Sequence, residues 1–75
     1  MYKIDCFGDI CPVPLLKSEK HLKKINNNET FLLVTDHGCV MESIHIRYKK
    51  TNHKIEIEEV LNGVWEITIT KNYYL

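Results

Sequence analysis

Residues 54 to 70 leave this chain few choices. Ile55 and Ile57 alternate with Glu56 and Glu58, and after Asn62-Gly63 the pattern resumes with Trp65, Ile67 and Ile69 against Glu66, Thr68 and Thr70. A period of two sends the two sets of side chains to opposite faces of a strand. Asn-Gly supplies the positive-φ residues of a two-residue turn whose twist suits the strands it joins. The pattern therefore predicts strands at 54–60 and 64–70, paired antiparallel. Ile55, Ile57, Trp65, Ile67 and Ile69 should all be consumed by a core, leaving no spare apolar patch. A lone hairpin is at best marginally stable, so the residues before it must supply the cover.

Upstream, Tyr2 to Cys6 alternates loosely and reads as a short strand. Residues 12 to 25 read as a helix, with Leu15, Leu22 and Ile25 on one face, Leu16 flanking it, and Lys17, Lys20, Lys23 and Lys24 mostly on the other. Asn26-Asn27-Asn28 stops it. Phe31-Leu32-Leu33-Val34 centres a buried strand over 29–35. Asp36-His37-Gly38 breaks the pattern, with Asp36 reading as the cap of a second helix over 39–50 whose Val40, Met41, Ile44 and Tyr48 share a face. The order is β-α-β-α-β-β. This is an α+β chain, and two helices on one face of a mixed four-stranded sheet cover its apolar side economically. A β-α-β crossover makes its two strands parallel. The starts of the two helices, near Cys11 and near Asp36-His37-Gly38-Cys39, should therefore lie along one edge of the domain.

The stretch Gly8-Asp9-Ile10-Cys11-Pro12-Val13-Pro14-Leu15-Leu16-Lys17 carries the chemistry. Proline suits the first helical turn, where the N–H groups have no intrahelical acceptor. Cys11 then falls at or beside the N-cap, at the positive end of the helix dipole, where a thiol's pKa can drop from about 8.5 into the range of roughly 3.5–7.5. Cysteine is a poor cap compared with Ser, Thr, Asp or Asn, which favours a chemical role over a structural one. The prolines stiffen the approach to it. Asp5 is placed to accept loop N–H groups, and Asp9 is expected in solvent. Lys17 is either a source of positive potential or a solvated surface lysine. Cys39 reads as a second thiol or a small buried residue at a helix start, with burial favoured; Cys6 reads as core. His37 is a loop histidine within reach of an acid role. Cys11, His37 and Cys39 lack the paired spacing of a zinc site, and no cofactor is expected.

Ten basic and ten acidic residues cancel, which argues against a general nucleic-acid binder. The N-terminus has no long apolar run of a signal peptide, and no stretch approaches the ~18 apolar residues of a membrane span. Three cysteines, an odd number, do not suggest a disulfide framework. The expectation is one domain over 1–75, cytoplasmic, with reduced thiols.

Asp5-x-x-Gly8-x-x-Cys11-Pro12-x-Pro14-x-x-Lys17, followed by Thr35-Asp36-x-Gly38, resembles the signature of the TusA-like (SirA/YedF/YeeD) sulfur-carrier family across essentially the whole chain. His37 stands where that family commonly has proline, and Cys39 where it commonly has a small residue. The resemblance implies a two-layer α/β sandwich, with Cys11 carrying sulfur as a persulfide and Gly8, Pro12, Pro14, Lys17 and Asp36 supporting it. It implies a cysteine desulfurase or other sulfur donor and an acceptor protein as partners, in tRNA thiolation or related sulfur metabolism. The alternatives are thiosulfate handling with a membrane sulfur transporter, or a noncatalytic RNA- or protein-binding module. The last rests on the basic helix face and on a layout that also resembles the C-terminal domain of a bacterial translation initiation factor.

Overall fold

The computed structural model describes residues 2–10 and 13–72. Its elements are β1 (Tyr2–Asp5), α1 (Val13–Leu22), β2 (Thr30–Thr35), α2 (Gly38–Tyr48), β3 (Lys54–Leu61) and β4 (Val64–Thr70). The sheet order is β1-β2-β4-β3, with β1 parallel to β2 and β4 antiparallel to both β2 and β3. This is the expected α+β sandwich, with two helices over one face of a mixed four-stranded sheet. Each crossover moves the chain the same way across the sheet, so two right-handed crossovers put both helices on the same side.

Register explains what is buried. Phe31, Leu33 and Thr35 of β2 alternate onto the helix side, opposite Ile69, Ile67 and Trp65 of β4. Phe31, Leu33, Ile67 and Ile69 are fully buried against Leu22 of α1 and Val40, Ile44 and Tyr48 of α2. Cys6 completes this core, with its N–H donated to Val34 O at 2.8 Å. Gly63 takes the positive φ that the Asn-Gly turn requires.

Three expectations need correction. Helix α1 ends at Leu22 rather than 25, because Lys24 N–H turns back to His21 O and the three asparagines follow, with Asn28 at a φ of 68°. Its buried stripe is Pro14, Ser18 and Leu22, spaced four apart, while Leu15 is half-buried and Leu16 exposed. Ser18 enters the core because its hydroxyl is fully bonded: it donates to Leu15 O at 2.7 Å and meets the Tyr48 hydroxyl at 2.8 Å. On β3 the alternation does not secure burial. Ile57, Val60 and Leu61 are exposed, because β3 is an edge strand and its ladder shifts register between Glu59 and Leu61.

Candidate functional site

The parallel pairing of β1 and β2 brings the loop after each strand to the same end of the sheet. Gly8, with a φ of 78°, turns its N–H toward β2's loop and donates it to Asp36 Oδ1 at 3.0 Å. A side chain at that φ is strained, which is why glycine suits it. The same Asp36 oxygen lies 3.0 Å from His37 Nδ1. A carboxylate only accepts, so Nδ1 carries the proton. These bonds, the Gly8 N–H first, hold the Asp36 carboxyl below its ordinary pKa. Asp36 is thus not the cap of α2. His37 is the N-cap, without a side-chain cap bond, and its N–H goes to Thr35 Oγ1 at 3.2 Å. Asp36 instead fastens one loop to the other across 28 positions of sequence.

On the first loop, Asp5 Oδ1 accepts the Phe7 N–H at 2.9 Å, and Asp9 N–H returns to Cys6 O at 3.1 Å. Asp9 is not free in solvent: its Oδ2 pairs with Lys17 Nζ. That hydrogen bond raises the Lys17 pKa, so the ammonium persists but is largely neutralised by its partner. Val13 N–H closes a turn onto Ile10 O at 2.9 Å. Cys11 and Pro12, expected as the reactive thiol and the first helical residue, lie outside the described residues. Pro14 packs in the buried stripe of α1.

The two remaining thiols differ. Cys6 is buried, and desolvation pushes its pKa up, which makes it inert. Cys39 is exposed, against the expectation of burial, at the second position of α2. The residue after it, Val40, is the one that turns into the core. Among the described residues no three His, Cys, Asp or Glu side chains gather as metal ligands, and no helix is long and apolar enough to cross a membrane.

Sequence reasoning missed the apolar character of this end. Phe7, Ile10, Val13 and Leu16, which bracket positions 11 and 12, are all exposed, Ile10 to 63% and Leu16 to 58%. Their signal was large apolar residues flanking the polar Gly8-Asp9 step, where a solvated loop would carry none. Such side chains are suited to a surface that another protein covers.

A sequence profile of the family described as "Sulfurtransferase TusA" matches residues 2–71. The chain belongs to that family. It is 34% identical over 71 residues to a Methanocaldococcus jannaschii protein named "Putative sulfur carrier protein", covering 95% of each chain. A Thermotoga maritima protein of the same name is 33% identical over 67 residues, covering 88% of this chain and 85% of its own. The crystal structure of a SirA-like protein from Desulfitobacterium hafniense superposes with a TM-score of 0.83 at 25% identity, over 93% of this chain and 96% of that one. Family and relatives alike support a sulfur-carrier role, and with it dealings with donor and acceptor proteins in general.

Proposed function

We propose that residues 1–75 act as one cytoplasmic sulfur-carrier domain that holds sulfane sulfur on Cys11 and relays it to a partner protein in tRNA thiolation or a related sulfur pathway. The family match over residues 2–71, which spans the Cys11-Pro12-Val13-Pro14 motif, carries this reading. In the step itself the Cys11 thiolate attacks the terminal sulfur of a donor persulfide. The donor's S–S bond breaks, the donor leaves as a thiolate, and the sulfur remains as Cys11–S–S⁻ with no net oxidation. Thiosulfate serves by the same attack, with sulfite leaving. A helix N-terminus favours the thiolate and the persulfide anion alike.

Three features support the reading. Gly8, Asp36 and Asp5 brace the loop that leads to Cys11. Lys17, paired with Asp9, stabilises the first turns of α1 beside it. The exposed apolar side chains on either side suit delivery into another protein. Cys39, exposed on the first turn of α2 just after the loop that Asp36 joins to Gly8, is the second thiol of this end.

The test is sulfane sulfur on the isolated protein. After incubation with a cysteine desulfurase and cysteine, or with thiosulfate, the protein is gel-filtered and treated with cyanide. A stoichiometric yield of thiocyanate from one donor supports the carrier and selects its pathway, with thiosulfate pointing to the transporter-linked alternative. No thiocyanate from either donor refutes it.

A further inference from the structure

The side of α1 that faces β1 is basic. An open groove of about 320 Å³ runs between them, lined by Lys3, Lys17, Lys20 and Lys24 against the single acid Asp5. Asp9 takes up Lys17, whereas Lys3, Lys20 and Lys24 have no ion-pair partner among the described residues. The whole chain is neutral, so this charge is segregated: the β3–β4 hairpin carries four glutamates against Lys54. Among the described residues β1 is also an outer strand, paired only with β2, so its other edge offers backbone N–H and C=O groups.

Spacing narrows the occupant. Lys20 stands on the last turn of α1 and Lys24 on the turn that follows its end at Leu22, and both line the groove. Alternate side chains of an extended strand share one face, so carboxylates at every second position of a segment laid beside β1 would all turn toward the lysines that line the groove. RNA fits less well. Single-strand binders stack bases on several free aromatic faces, but Tyr2 and His21 stack on each other at 4.4 Å, and His21 also meets the edge of Phe31.

We propose that this groove receives an extended acidic segment, with carboxylates at alternate positions, from the protein that exchanges sulfur with Cys11. The identity of that protein rests on the sulfur-carrier reading; binding of the segment does not.

The test uses a fluorescein-labelled peptide of alternating Glu and Val, the same peptide with Gln for Glu, and a single-stranded RNA oligonucleotide, followed by anisotropy. The expected result is saturable binding of the Glu peptide alone, weakening with salt. Lys20→Glu with Lys24→Glu should weaken it roughly tenfold, as reversal of charges facing a charged partner does. Lys23→Glu, just past the end of α1 but outside the groove, should leave it nearly unchanged, and so should Cys11→Ser. No binding, equal losses from Lys23→Glu, or tighter binding of RNA through the same lysines would overturn the proposal. Sulfur loading from thiosulfate is measured in parallel. A wild-type protein that takes up no sulfur yet binds the peptide through Lys20 and Lys24 would remove the carrier reading and leave the groove standing.

Discussion

The hydrogen bond between Ser18 and Tyr48 ties α1 to α2 inside the core, and its direction follows from counting protons. The single Ser18 hydroxyl proton goes to Leu15 O, which only accepts, so Tyr48 must donate to Ser18 Oγ. Tyr48→Phe removes that donor and leaves Ser18 its bond to Leu15; the expected loss is about 1 kcal/mol, the net worth of one hydrogen bond. Ser18→Ala instead leaves the Tyr48 hydroxyl buried without an acceptor. That costs about 1–3 kcal/mol, offset by roughly 0.5 kcal/mol from alanine's better helix propensity. In the double variant both polar partners are gone, which is nearly neutral apart from the small space left by Oγ. The double should therefore be more stable than the sum of the singles predicts, with a coupling of about 1–2 kcal/mol. Urea denaturation of all four proteins followed by circular dichroism measures it, and each kcal/mol should move Tm by roughly 4–8 °C in a domain of this size. Burial also raises the Tyr48 pKa. The neutral phenol is then the form the fold prefers, so its contribution is complete below the ordinary tyrosine value of about 10 and is lost as pH rises beyond it. Tyr48→Phe should flatten that alkaline loss. Singles that add to the double within about 0.3 kcal/mol would refute the reasoning.

Two further outcomes follow from the groups around the loops and the last turn. Asp36→Ala should speed hydrogen exchange of the Gly8 amide several-fold, read by NMR, and slow sulfur loading while Cys11 is intact; an unchanged Gly8 amide would show that Asp36 does not brace the loop. His53 accepts the Asn72 N–H on Nδ1 at 3.0 Å, and burial, with Lys71 second, lowers its pKa. Its neutral form stabilises the fold fully above the ordinary histidine value of about 6.5 and loses that contribution as pH falls through the depressed folded value. Thermal melts should therefore fall between neutral pH and mildly acid pH, and His53→Gln should reduce the fall; an identical pH profile in the variant would contradict the assignment.

Local periodicity was enough to read the element order, the hairpin about Asn62-Gly63 and the Val40-Ile44-Tyr48 face of α2, because each is written within one or two turns of chain. The failures concern partners far apart in sequence. Asp36 precedes a helix and so reads as a cap, but its oxygen is claimed by Gly8 N–H from another loop. Nothing beside Ser18 in the sequence signals its burial, because the hydroxyl that meets it belongs to Tyr48, 30 positions on. Ile57 alternates like Ile55, yet exposure at a sheet edge depends on strand order, which alternation does not encode. Residue type alone places Cys39 inside, whereas the orientation of α2 turns its neighbour Val40 to the core and leaves Cys39 exposed. The Cys11-Pro12-Val13-Pro14 motif was legible throughout, since it is a statement of covalent sequence.

The account stands on sulfur residing at Cys11, and intact mass tests that most directly. Wild type, Cys11→Ser and Cys39→Ser are each incubated with a desulfurase and cysteine and, separately, with thiosulfate, then weighed before and after reduction. The account predicts a reducible gain of one sulfur atom in wild type and Cys39→Ser, and none in Cys11→Ser. The same gain in Cys11→Ser, or none in wild type from either donor, would contradict it.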